Sequence, residues 1–427
     1  FEALDRRTTG FNAGDLIIIA ARPAMGKCLG RGTKVVMFDG TLKNVENVKS
    51  GDKLMGDDSK PRNVLSITSG TEQMYWVRQN KGVDYRVNES HILSLKRSRT
   101  EGPHKNADVL NINIKEFLEK SPKFKNNYKG YKVSVEFKEK KMMINPYFLG
   151  LWLGDGSSAK VSIYTQDKEV IIFLNEYAKQ LDLEVREYIA LNKCPEYSIT
   201  NKKQVDGKIA FSLQKLLRDE NLLDNKHIPN NYLINSEKNR LELLAGLIDS
   251  DGHYDIKANG YEITQKDENL ATQIKYLCDS LGFRTSLIKK KASIKKINFE
   301  TEVYRVRFFG DIDKIPVKIE RKKAKPWTCN RTWNQTGIKI EKDMVDEYFG
   351  FEIDGNKLFL LEDMTVTHNT ALVLNMALKN VEQGKGVILF SLEMPAEQLM
   401  LRMLSAKTSI PLQNLRKGDL DDQQWTN

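Results

Sequence analysis

PAMGKCLGRGT, residues 23–33, begins as a phosphate-binding turn and breaks off one residue before completing it. After Gly26-Lys27 a Ser or Thr is required, because its hydroxyl ligates the magnesium ion of the bound nucleotide. Cys28 stands there instead. The apolar run DLIIIA, residues 15–20, supplies the strand that normally precedes such a turn, so the interruption falls inside an otherwise ordinary motif. The missing hydroxyl lies far downstream in TVTHNTALVLNMALKN, residues 365–380. Thr370 opens an apolar, helix-favouring run there, as a helix whose N-terminus faces a phosphate should. Joining Lys27 to Thr370 restores strand, Gly-Lys-Thr turn and helix in one stroke. GKGVILFSLEMPAEQ, residues 384–398, adds a second buried strand that ends at Glu393, placed to orient an attacking water.

Composition bounds the rest. A chain of 427 residues with 40% apolar content has room for two to four domains with real cores. Lys and Arg outnumber Asp and Glu by 67 to 57, an excess that favours a polyanionic partner only where it gathers on one face. The four cysteines, 28, 194, 278 and 329, are too scattered for a disulfide framework or a zinc site. With no apolar run near the roughly 18 residues of a spanning helix, the expectation is a cytoplasmic protein without a membrane partner.

The flanks TGFNAGDLIIIAARPAMGK (9–27), TALVLNMA (370–377) and ILFSLEMPAEQL (388–399) resemble the ATPase domain of DnaB-type replicative helicases, with Ala21 in place of the first Gly of the generic loop. The resemblance implies short RecA-like α/β fragments at 1–27 and 370–427. Gly26, Lys27 and Thr370 would bind ATP only once joined, with Glu393 beside them. Residues 28–369 are then an insertion, and its edges carry chemistry. Cys28 is a thiol able to attack the Lys27 carbonyl. Asn369 can cyclise through its own amide and cut the chain behind itself, and Thr370 is a hydroxyl nucleophile.

These edges resemble an intein. CLGRGTKVVMFDGTLKNVENVKSGDKLMG (28–56) looks like the N-terminal splicing block, VNESHILSL (87–95) like the block that supplies a histidine, and FLLEDMTVTHNT (359–370) like the C-terminal block. The resemblance implies a mainly β Hint (Hedgehog/intein) horseshoe split into 28–142 and 313–369, for which TKVVMFDG, GDKLMG and RNVLSITSG give the short β-branched strand pattern. It also implies roles. Cys28 forms the thioester, His91 protonates the leaving amine, Asn88 holds the carbonyl region, His368 polarises the last peptide, and Asn369 and Thr370 complete excision and ligation without a cofactor. One departure stands out. Where the family often has an Asp after an aromatic residue, EYFGFEIDGNKLFLLED (347–363) has Gly350, and it lacks a histidine. Asp354 and Glu352 are the substitutes on offer, against a plain reading as turn and edge-strand residues.

Inside the insertion two stretches repeat, PYFLGLWLGDGSS (146–158) and LLAGLIDSDGHY (243–254), and so do the segments after them, 163–186 and 262–285. Two copies of an αββα-like unit are implied. Gly150 and Gly246 permit close helix packing. Both helices end at an Asp-Gly pair, where a carboxylate is disfavoured by the helix dipole by roughly 0.3–1 kcal/mol unless a cation sits between the two. Asp155 and Asp251 are therefore candidate Mg²⁺ ligands for phosphodiester hydrolysis. Asp249, opposite Leu153 in the other copy, reads as structural. The segment resembles the LAGLIDADG homing endonucleases, as a single-chain α+β pseudodimer over 143–312 with αββαββα-like repeats. That resemblance implies double-stranded DNA as partner, a monomer, and charge stabilisation by Lys226. KKKASIKKINFETEVYRVRF (289–308) and KSPKFKNNYKGYK (120–132) offer phosphate contacts. Two rival readings share these motifs: a degenerate intein that keeps one activity, and a P-loop ATPase with a permanent DNA-binding insertion.

Overall fold

The computed structural model describes residues 28–98, 109–201, 212–294, 299–326 and 333–368, with two isolated positions, 400 and 404. Gly26, Lys27, Asn369, Thr370 and Glu393 lie outside the described residues, as does the expected α/β pattern around the phosphate turn.

The first layer is built on one long antiparallel pair, Pro61–Gln79 with Ile338–Ile353, from distant parts of the chain. Two irregularities, between Lys342 and Val345 and between Glu352 and Ile353, interrupt its register and bend it. Leu29–Gly30 lies between this pair's second strand and Tyr85–Asn88, with Leu29 opposite Phe349 on one side and Val87 on the other. A two-residue strand is held there because its side chains are buried: Leu29, Val35, Val77, Val87, Leu93, Phe351 and Ile353 share one core. Residues 358–368 close this layer as a hairpin, Leu358–Leu360 with Val366–His368. Mainly β content is what the short alternating runs lead one to expect.

The second layer centres on two helices, Pro146–Asp155 and Glu237–Asp251. Asn145 caps the first by accepting the Phe148 N–H at 3.1 Å, with Pro146 at the first helical position. The helices cross at the two glycines. A Cβ on Gly150 would run into the Leu243 carbonyl, and one on Gly246 into that of Tyr147. Each is followed by short strands and an amphipathic helix, Lys168–Gln180 or Glu268–Ser280. The later copy has the sheet Gly252–Asp255, Gly260–Gln265, Phe299–Phe309, Arg284–Ile294, whereas the earlier has three strands among the described residues, with a bridge between Gly156 and Ile163 in place of the first hairpin.

One expectation changes. The division at 312/313 does not follow the packing, because Ile315, Val317 and Ile319 fill the core of the helical layer and Lys322 caps one of its helices. The stretch 120–132 belongs to the β layer. Its strand Tyr128–Tyr131 pairs with Ile92–Arg97 and Gln335–Thr336 in the β layer, and Lys132 is buried.

Candidate functional site

Cys28 is fully buried beside the end of the Tyr85–Asn88 strand. Its backbone N–H donates to Asn88 Oδ1 at 2.9 Å, and the Asn88 N–H donates back to the Cys28 carbonyl at 3.2 Å. Asn88 Oδ1 therefore holds the nitrogen of the 27–28 peptide. Asn88 Nδ2 in turn donates to Glu72 Oε2 at 2.7 Å, one of the two hydrogens that its amide can give. Glu72, which no motif marks, thus orients Asn88. Burial, with a smaller contribution from Glu72, pushes the Cys28 thiol up to about 12. At neutral pH the thiol keeps its proton, so it can attack only as that proton is taken away.

Gly350 backs the sulfur. A Cβ at this position would lie far inside van der Waals contact with Cys28 Sγ, so the missing family Asp is replaced by a space the thiol occupies. Asp354 clamps Asn63, accepting its N–H at 2.8 Å and its Nδ2 at 2.5 Å. Glu352 accepts from Ser66 Oγ at 3.3 Å within the long strand pair.

His91 is buried, and its Nε2 lies 2.9 Å from Thr367 Oγ1. Thr367 directly precedes His368 on the last described strand. The histidine beside one edge of the insertion is thus bonded to the strand that carries the other edge.

The second cluster lies at the C-terminal ends of the paired helices. A Cβ on Gly154 would sit 3.3 Å from Asp251 Cγ, which brings the two Asp-Gly turns together. Burial, and then the facing Asp251, raise Asp155 to about 6; Asp251 is also raised, mainly by burial, while Gln265 Nε2 donates to its Oδ2 at 2.6 Å. Lys226 Nζ caps the first helix through the carbonyls of Leu153, Gly154 and Gly156, at 3.1, 3.1 and 2.8 Å. Lys322 does the same for the second helix through Ile248, Asp249 and Ser250. Sequence reading missed Lys322 inside a charge run, although it follows Asp251 at the spacing by which Lys226 follows Asp155. Asp249 is buried and accepts from Tyr147 OH at 2.6 Å and the Lys318 N–H at 2.7 Å. On the nearby sheet, Arg305 and Arg307 both reach Glu262, and Lys289 pairs with Glu302, so part of the basic stretch is already neutralised.

Three family models match this chain. Residues 28–157 match the Hom_end-associated Hint model, 238–312 the LAGLIDADG-like domain, and 1–37 with 345–427 the DnaB-like helicase C terminal domain. The replicative DNA helicase DnaB of Mycobacterium intracellulare is 27% identical over 96% of this chain and 70% of its own length. That of Helicobacter pylori strain 26695 is 53% identical over 22% of this chain, which spans only 19% of that protein. Among solved structures, the homing endonuclease I-DmoI in complex with DNA and Mn aligns over 39% of this chain and 88% of its own, at 16% identity and a TM-score of 0.27. The gp41-1 intein aligns over 27% and 71%, at 19% identity and a TM-score of 0.17. The matches fit an intein with an endonuclease domain inside it. The residues on either side of it are similar to a helicase of the DnaB type.

Proposed function

We propose that the chain is a splicing precursor that excises residues 28–369 and joins Lys27 to Thr370, restoring a Walker A turn. The observation that carries this reading is the hydrogen bond from the Cys28 N–H to Asn88 beside a thiol lodged against Gly350, with His91 tied to the strand before Asn369. Cys28 Sγ forms a bond to the Lys27 carbonyl carbon as the Lys27–Cys28 C–N bond breaks. The thiol proton is lost and the amine gains one, with His91 the nearby proton carrier. Thr370 Oγ then takes the acyl group, freeing the thiol. Asn369 cyclises with His368 polarising its carbonyl, and the ester rearranges to an amide. Splicing needs no cofactor in this scheme, and the helicase fragments are inactive until joined. The test is a denaturing gel after expression, which should resolve a ligated 1–27/370–427 product and a free 28–369 chain. A persistent full-length chain would refute it.

Gly350→Ala is expected to force the sulfur off its rotamer and slow cleavage at Lys27 about tenfold, a barrier change of ~1.4 kcal/mol. Release at Asn369, measured in a Cys28→Ala background, should stay near its parent rate. Equal slowing of both junctions would remove Gly350 from the thiol step.

The helical layer is proposed as a monomeric pseudodimeric endonuclease that cuts the uninterrupted helicase gene in the cytoplasm. Its residues fit a divalent cation, because two facing carboxylates raised by burial, Asp155 also by Asp251, are what a cation would stabilise. Mg²⁺ is commonly held by one or two carboxylates with water and substrate phosphate completing its shell. Asp155 and Asp251 would hold it, and it would supply charge stabilisation at the cleaved phosphate. The raised folded-state pKa values set the sign of a pH effect. The stabilising contribution of protonated Asp155 is full below the unfolded value near 4 and is lost as pH rises through about 6. Metal-free protein should therefore lose several degrees of unfolding midpoint between pH 4 and pH 7, and Mg²⁺ should remove that loss. A flat profile in calorimetry would argue against a paired-carboxylate site.

A further inference from the structure

A buried group of four charges joins the two layers. Lys132 lies on the segment that leaves the β layer, its backbone bridged to Thr365 and the next N–H bonded to the Met364 carbonyl at 3.3 Å. Its ammonium is 2.9 Å from Asp363 Oδ2 and 3.4 Å from Asp279 Oδ1. Asp279 comes from the other layer, on helix Glu268–Ser280, where Lys275 holds its second oxygen at 2.6 Å. Both carboxylates are fully buried. Burial alone would neutralise such groups, yet Lys132 and Lys275 hold Asp363 well below the usual carboxylate range, and the carboxylates hold both amines up. Each layer contributes one ammonium and one carboxylate, and Lys132 joins them by reaching both Asp363 and Asp279.

Asp363 connects this cluster to the chemistry. Its oxygens also accept the Val83 N–H at 2.8 Å and the Thr365 N–H at 3.2 Å, fixing the turn from which Val366–His368 begins. Thr367 of that strand holds His91, and Asn369 is the next residue after its end. Val83 leads into Tyr85–Asn88, which is hydrogen-bonded on both sides, by Leu29 and by the long strand. Val366–His368, among the described residues, has only Leu358–Leu360 in its sheet. A loosened Asp363 turn therefore disturbs the C-terminal strand before the N-terminal one.

We propose that Lys132, Asp279 and Lys275 are positioning residues for the Asn369 step, so that a helix of the endonuclease layer forms part of the splicing framework. The inference rests on the splicing reading above. Two full-length reporters test it: Cys28→Ala, which reads only release at Asn369, and Asn369→Ala, which reads only thiol-induced cleavage at Lys27. Asp279→Asn should slow the first tenfold or more and leave the second within about twofold. Asp279→Glu, which restores the carboxylate, should recover the first to within about threefold. Lys275→Met, at the rim of the cluster, should slow the same junction by a smaller factor. Unchanged release, parallel slowing of both junctions, or an Asp279→Glu variant as slow as Asp279→Asn would overturn the assignment. A Cys28→Ala parent that shows no release would overturn the splicing reading itself and this inference with it.

Discussion

Replacing Cys28 and Asn369 together by Ala is expected to leave one unspliced chain of 427 residues, with no ligated product on a denaturing gel. The effect should be complete because the two residues supply separate bond-breaking groups. Without the sulfur no thioester forms, and Thr370 is left facing an ordinary amide. Without the Asn side chain nothing cuts behind residue 369. Asn369→Ala alone should still allow cleavage at Lys27, since the Cys28 N–H, Asn88 and Glu72 arrangement is independent of it. His91→Ala should slow the Lys27 junction most. It should slow Asn369 release to a lesser degree, through the lost bond to Thr367. Ligated product from the double variant would sink the assignment of both termini, and an effect of His91→Ala confined to the C-terminal junction would show that its role had been misassigned.

What could be read in the sequence was whatever chemistry marks locally. Cys28, His91 and His368-Asn369 stand in short blocks whose residue types already suggest nucleophile, proton carrier and cyclising amide. Gly150 and Gly246 were legible as a packing pair because the segments around them repeat. Gly350 was visible only as a departure, since its value lies in the space left for a sulfur brought to it by the pairing of Leu29 with Phe349. Glu72 acts through Asn88 from a neighbouring strand, and no spacing announces that. Asp363 and Asp279 look like ordinary acids in polar stretches; their burial depends on Lys132, far from both in sequence. Lys322 was within reach of the text. Carrying the repeat past its paired helices would have placed it opposite Lys226.

The endonuclease layer should answer differently according to which of its acids is changed. The Asp155→Asn, Asp251→Asn double variant removes both candidate metal ligands. DNA cleavage should fall by about a thousandfold, the rate equivalent of ~4 kcal/mol of lost charge stabilisation. Splicing should stay within about twofold of the parent rate, because the groups shown around this pair, Gln265, Lys226 and Lys322, all belong to the endonuclease layer and not to the Cys28 or His91 environment. Asp279→Asn, in the same layer, should do the reverse. The substrate expected is helicase DNA with the Gly26-Lys27-Thr370 codons contiguous, since the insertion divides that site and protects the gene that carries it. Excised 28–369 protein would be incubated with plasmids bearing the intact or the interrupted junction, with and without Mg²⁺. Equal cutting of both plasmids, or undiminished cutting by the double variant, would refute site-specific cleavage at the paired carboxylates. Slowed splicing in the same double variant would show that the helix ends, and not only the Asp279 cluster, are mechanically joined to the splicing fold.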